Sequence, residues 1–184
     1  MRQVHLVQHA EKELLPGDPG LTLIGVKQAE RVADHLVGLS IGAIYSSPLQ
    51  RALETSEIIG ERLGLVVLVD GRLAEKVNWD GTVSYEEFVE EWDRAVKDRD
   101  YQPFGAYSSH QNAERVLEFV GAVAVDDHDV VAVTHGGAMV DVLRTLVGDD
   151  DIPRDLLRQG PAPTAITTLN GQYVVAMSVP PPWE

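Results

Sequence analysis

Two short apolar runs constrain this chain more than any other part of it. VHLVQ (residues 4–8) and VVAVT (130–134) are rich in β-branched side chains, and each is followed at once by a histidine, His9 or His135, and then by small residues. Runs of this length and composition read as strands buried on both faces, as in a parallel sheet with helices on either side. In an open α/β sheet, ligands bind beyond the carboxyl ends of the strands. Position alone therefore puts both histidines on the binding edge.

The segments between these runs alternate in the order that such a sheet requires. Thr22 caps a helix over 23–37 whose inward stripe is Val26, Ala29, Val32, Ala33 and Leu36. IGAIYS (41–46) is a strand. Ser47 as cap and Pro48 in the first turn start the next helix, which turns Leu49, Ala52, Leu53, Ser56 and Ile59 inward and ends at Gly64. LVVLV (65–69) is a third strand, and 70–82 is a polar loop. An acidic helix then carries Val83, Phe88, Trp92 and Val96 on one face, with Trp79 and Trp92 read as lid and core packing. After a loop at 100–110, a helix from 112 turns Ala113, Val116, Leu117 and Val120 inward. DDHD (126–129) turns into the strand at 130–134, and AMVDVLRTLVG is the helix that follows it. GDDDIPRDLLRQG is a charged surface connection. TAITTL and YVVAMSV form an edge hairpin about Asn170-Gly171, and PPPWE is a surface tail. The expected architecture is a three-layer α/β sandwich in a single domain spanning 1–184. Its central sheet is mostly parallel and flanked by helices, with a helical excursion at 83–125.

Charge narrows the partners. Acidic residues number 29 against 15 basic, a formal net charge of -14, and no run of Lys or Arg occurs. Nucleic acid and anionic membrane surfaces, which need clustered cations, are not expected partners. An anionic ligand would have to be drawn by a local positive pocket. With no cysteine, a thiolate nucleophile, a disulfide framework and a cysteine metal site are all excluded. No stretch approaches a membrane span, and the N-terminus lacks the pattern of a signal peptide, so a cytoplasmic protein is expected, monomeric or homodimeric.

Besides the two histidines, Arg51 falls in the first turn of the helix after the second strand, and Glu75 in the loop after the third. Each taken singly is as well explained by capping or by surface exposure. Together, two imidazoles, a guanidinium and the free N–H groups after His135 make a site for a tetrahedral oxyanion such as phosphate. One imidazole held in a fixed tautomer can attack phosphorus, the other groups can stabilise the equatorial oxygens, and a carboxylic acid can serve the leaving alcohol. That chemistry requires no metal and no cofactor.

These segments resemble the histidine phosphatase superfamily, also called phosphoglycerate mutase-like. LVQHAE is similar to Leu-Val-Arg-His-Gly-Glu, DPGLTLIGVKQAE to Asp-Pro-x-Leu-Thr-x-x-Gly-x-x-Gln-Ala, and IYSSPLQRALETSEII to Tyr-Ser-Ser-Pro-Leu-x-Arg-Ala-x-x-Thr-Ala. VVAVTHGGAM resembles the second histidine motif, and DGRLAE the family's Leu-x-Glu. The resemblance covers most of the chain, with the motifs in order. It implies the phosphoglycerate mutase-like fold and metal-independent hydrolysis of a phosphomonoester through a phosphohistidine on His9. It also implies that Arg51 and His135 hold the phosphoryl group and that Glu75 is the proton donor. The expected substrate is a small phosphoester or another small anion.

The departures are as informative. Gln8 stands where the family carries arginine, and Ala10 where it carries glycine. Gln8 can still donate a hydrogen bond to a phosphoryl oxygen but brings no charge. Lys12, His110 and Arg115 are further candidate substrate contacts, and Lys12 or Arg115 would supply the lost charge. Two alternatives stay open: the same fold carrying acid/base chemistry on a non-phosphorylated small metabolite, and an inactive binding or regulatory member.

Overall fold

Strands that are apolar on both faces need helices on both faces. The computed structural model, which describes residues 2–123 and 128–180, has that arrangement. In chain order the elements are β1 (Val4–Gln8), α1 (Leu23–Leu36), β2 (Ile41–Ser46), α2 (Gln50–Leu63), β3 (Val67–Val69), α3 (Tyr85–Lys97) and α4 (Ser109–Val123). They continue with β4 (Asp129–Thr134), α5 (Gly136–Leu146), α6 (Arg154–Gln159), β5 (Ile166–Asn170) and β6 (Tyr173–Val179). The sheet order is β3-β2-β4-β1-β5-β6. The pairs β3–β2, β2–β4 and β4–β1 are parallel, while β5 is antiparallel to both β1 and β6.

The pleat of the central strands sorts the core into two layers. Val4 and Leu6 of β1 and Val130 and Ala132 of β4 face one way, onto Val116, Phe119 and Val120 of α4 and Met139 and Val142 of α5. Val7, Val131 and Val133 face the other way, onto Val32 and Leu36 of α1 and Ala52 and Ile59 of α2. Burying a side chain of this size contributes roughly 1.5–3 kcal/mol, so the two central strands contribute to both cores at once. Gly64 ends α2 in the left-handed region at φ 69°, where a side chain would be strained.

Several local expectations shift. Val26 is 36% exposed, and Gly25 takes the buried place against the backbone of Glu11. Ser47 does not cap α2: Leu49 occupies that position with no side-chain bond, and Pro48 precedes the helix. Leu49 and Leu53 are half-buried, while Arg51 and Thr55 are fully enclosed. β3 is shorter than expected because it is the sheet's edge, with Val66 82% exposed. On α4, Phe119 is buried and Leu117 only partly. The hairpin turn is Gly171-Gln172, since Asn170 still pairs with Tyr173. The helical excursion is present, but α3 buries only Ala95; its aromatic face lines a cavity rather than the core. Of the expected DDHD turn and PPPWE tail, residues 126–127 and 181–184 lie outside the described residues, as do the last residues expected of the helix from 112. Among the described residues no helix is long and apolar enough to cross a membrane.

Candidate active site

β1 and β4 are parallel neighbours, and Gln8 is in register with Thr134. The residues that follow that pair are His9 and His135, so the sheet itself sets them side by side. Their ring centroids are 5.1 Å apart with planes at 60°. The backbone N–H of His9 donates to the carbonyl of Thr134 at 3.0 Å, extending the ladder one residue past the strand end.

The partners of His9 define its tautomer. Nε2 faces Nε of Arg51 at 3.2 Å and Nε2 of Gln8 at 3.3 Å. A guanidinium can only donate, so Nε2 of His9 must accept and its proton sits on Nδ1. Nδ1–H in turn donates to the carbonyl of Ala10 at 2.8 Å. Burial, followed by the nearby Arg51 charge, lowers the pKa of His9 to about 3. The residue is half-buried, with one edge of the ring open into the cavity. The result is a neutral imidazole whose Nε2 lone pair points toward a cation.

Arg51 is 3% exposed, and its Nη1 makes no hydrogen bond among the described residues, with Asp18 standing off at 3.7 Å. His135 is fully enclosed. Its Nε2 and Ser47 Oγ share a hydrogen bond at 2.7 Å, while Nδ1 has no partner among the described residues. Burial, then His9 and Arg51, hold its pKa well below the ordinary histidine value. Ser47 is thus the residue that sequence reasoning missed. Read as a helix cap, it directly follows β2 and bonds the second histidine, and its signals in the sequence were its place between a strand and a proline and within the shared Ser-Ser-Pro motif.

Glu75 enters from the loop after β3. Its Oε2 accepts from the N–H of Gly137, and its Oε1 from the N–H of Lys76, each at 2.9 Å. Burial raises its pKa above the ordinary value although both bonds and the Lys76 charge pull it down. Gly137 belongs to the first turn of α5, whose N–H groups favour negative charge. A Cβ at Gly137 would lie 2.5 Å from Oε1 of Glu75 and 2.6 Å from the ring of Trp92, so only glycine admits both.

Behind Glu75 lies a buried ion pair that the sequence did not reveal. Nζ of Lys76 meets Oδ2 of Asp141 at 2.9 Å, with both side chains 2% exposed. Asp141 also accepts from Ser109 Oγ at 2.5 Å and Asn112 Nδ2 at 2.9 Å. A salt bridge so deep is sustained only when its remaining lone pairs are bonded, as they are here.

The remaining candidates separate. Gln8, 9% exposed, lines the cavity, and its Oε1 has no partner among the described residues. Lys12 also lines it; Nζ donates to the carbonyl of Glu13 at 3.2 Å, and burial and the Arg51 charge lower its pKa. Arg115 turns inward but outside the cavity lining. It is stacked 4.5 Å over Tyr107 and donates to the carbonyl of Ala74 at 2.5 Å and to Asn112. His110 lies outside the lining, exposed and 2.8 Å from Asp100. The cavity has a volume of about 650 Å³, with His9, Arg51 and Glu75 in its wall. No group of three or more His, Asp or Glu among the described residues is placed to hold a metal ion.

Residues 4–173 match the histidine phosphatase superfamily (branch 1). The chain belongs to this family. A Hydrogenobacter thermophilus protein assigned by name as a phosphoserine phosphatase is 30% identical over 166 residues, covering 80% of each chain. The glucosyl-3-phosphoglycerate phosphatase of Mycolicibacterium vanbaalenii is 29% identical over 169 residues, 80% of this chain and 75% of that one. Among solved structures, a mycobacterial glucosyl-3-phosphoglycerate phosphatase complexed with VO3 superposes with a TM-score of 0.79 at 25% identity, covering 98% of this chain and 100% of that one. Membership gives the α/β sandwich with its mostly parallel sheet, and it places the chain in an enzyme superfamily whose histidine chemistry needs no metal.

Proposed function

We propose that this histidine phosphatase family member hydrolyses a small phosphomonoester through a phosphohistidine on His9. The observation that carries the reading is the state of His9, a neutral ring with Nδ1–H tied to Ala10 and the Nε2 lone pair facing Arg51. Nε2 attacks phosphorus as the bond to the leaving oxygen breaks, and the carboxylic acid of Glu75 gives its proton to the departing alcohol. Water then attacks the phosphohistidine, Glu75 takes the water's proton, and inorganic phosphate leaves with His9 restored. Arg51 and His135 hold the equatorial oxygens. A phosphoryl dianion beside His135 raises that ring's proton affinity, which makes it a donor when substrate is present.

A second cation belongs to this reading. Lys12 lines the cavity, and its charge reaches both Arg51 and His9. It offsets part of the charge that Gln8 does not bring, whereas Arg115 is engaged by the Glu75 loop. The other reading, acid/base chemistry on a non-phosphorylated metabolite, is favoured by the uncharged Gln8 beside the nucleophile.

The two differ in a covalent intermediate. Acid-labile, base-stable phosphate on the protein after rapid mixing with a phosphomonoester, detected by mass spectrometry and lost in His9→Ala, is the expected result. Turnover that survives His9→Ala would remove His9 as nucleophile.

A further inference from the structure

The cavity beyond the two histidines is apolar to a degree that the phosphoryl chemistry does not require. Leu14 and Leu15, 85% and 58% exposed, stand in the loop after β1, and with Tyr85, Phe88, Val89 and Trp92 of α3 they line the cavity. Large side chains exposed together around a concave site mark a binding surface rather than a misplaced core. α3 buries only Ala95, so its aromatic face is presented to the cavity and not to the sheet.

The charges in the same wall are already neutralised. Lys76 is bound to Asp141 at 2.9 Å and Arg144 to Asp149 at 2.7 Å. Drawing Lys76 onto a ligand would strand Asp141 without its cation in a buried site, which is strongly unfavourable. Lys12 lies within reach of the Arg51 charge, at the phosphoryl end. Arg158 is exposed on α6, where water and salt screen it. Among the described residues a second anionic group on the substrate would therefore find no desolvated cation of its own, and it would enter a protein of net charge -14.

We infer that the site selects phosphomonoesters whose leaving alcohol is uncharged and apolar, alkyl or aryl, over those that carry a carboxylate. The alkyl or aryl group packs between the leucines of the first loop and the aromatic face of α3, with the phosphoryl group at His9. The inference rests on the phosphatase reading and narrows its substrate class.

The test uses the full chain with hexyl phosphate, ethyl phosphate and phosphoserine. All are esters of primary alcohols, so leaving-group chemistry is closely matched. Four extra buried methylenes are expected to raise kcat/KM for hexyl phosphate over ethyl phosphate by tenfold or more. Phosphoserine should fall at least tenfold below hexyl phosphate. Phe88→Ala should shrink the hexyl-to-ethyl ratio at least threefold, with circular dichroism confirming that the variant is folded. Equal rates for hexyl and ethyl phosphate, or a preference for phosphoserine, would overturn the inference and leave the phosphatase reading standing. Titration calorimetry with hexylphosphonate and ethylphosphonate separates the opposite case, because it needs no turnover. If no ester is hydrolysed but hexylphosphonate binds tenfold tighter, the apolar site stands and the phosphatase reading falls.

Discussion

At the scale of single residues, what matters around His9 is which atoms are charged and which are merely polar. Gln8 reaches Nε2 of His9 at 3.3 Å with a neutral amide. A hydrogen bond from a charged donor contributes roughly 1.5–3 kcal/mol against about 1 for a neutral one. In the proposed phosphatase reaction the transition state carries more charge to the pocket than the ground state, so the difference would fall on rate as well as on binding. Gln8→Arg is expected to raise kcat/KM on a generic phosphomonoester by roughly five- to tenfold, the factor that about 1 kcal/mol supplies. A folded variant with unchanged activity would show that Gln8 is not a simple handicap. Glu75 gives a second prediction. If its carboxylic acid protonates the leaving oxygen, Glu75→Gln should slow alkyl ester hydrolysis by roughly 10²–10⁴-fold. Hydrolysis of p-nitrophenyl phosphate, whose leaving group needs no proton, should slow much less in the phosphorylation burst. Equal losses on both substrates would assign Glu75 a structural role.

At the scale of elements, the loop after β3 and helix α5 act as one unit. Glu75 bonds to Gly137 at the start of α5, and the adjacent Lys76 bonds to Asp141 one turn further along. Both ties run from consecutive loop residues to the same helix, so the ion pair fixes where the carboxyl of Glu75 sits. Lys76→Met removes one partner of a fully buried pair, and such losses cost roughly 3–5 kcal/mol. Adding Asp141→Asn removes the orphaned charge; its amide oxygen can accept from Asn112 while its NH2 donates to the Ser109 hydroxyl oxygen. The double variant should recover more than half of the lost stability in urea unfolding. No recovery would mean that Lys76 contributes through its packing against the ring of Trp92, 4.6 Å away, and not through its charge.

At the scale of the whole molecule, burying neutral histidines at the binding edge links folding to pH. His9 titrates near 6.5 when unfolded and at about 3 when folded. Between those values the unfolded chain binds the extra proton, so this contribution to stability is present above pH 6.5 and is lost as pH falls toward 3. His135 and His5 are shifted in the same direction. Glu75, with a raised pKa, acts oppositely and favours the fold at lower pH. Comparing wild type with His9→Asn isolates the histidine. Relative to the variant, wild type should lose on the order of 1–2 kcal/mol between pH 7 and pH 5, after allowance for the edge of the ring that opens to solvent. Parallel stability curves for the two proteins across that range would show that His9 is not held neutral by the fold.

The sequence by itself determined the elements, their alternation and the two strand ends that carry histidine, because β-branched runs and helical stripes are local patterns. With the shared motifs it also determined the family, and it singled out Arg51 and Glu75. Their meeting was decided only by the tertiary structure. His9 and His135 are 126 residues apart in the chain, and only the parallel register of β1 and β4 brings their rings to 5.1 Å. The role of Ser47, the Lys76–Asp141 pair and the direction of the α3 aromatic face were equally hidden. A serine before a proline, a lysine in a polar loop and an amphipathic helix each have several stable uses, and the choice depends on what the rest of the chain packs against them. VHLVQ and VVAVT marked the two places where a site would form, and the register between them made those places one site.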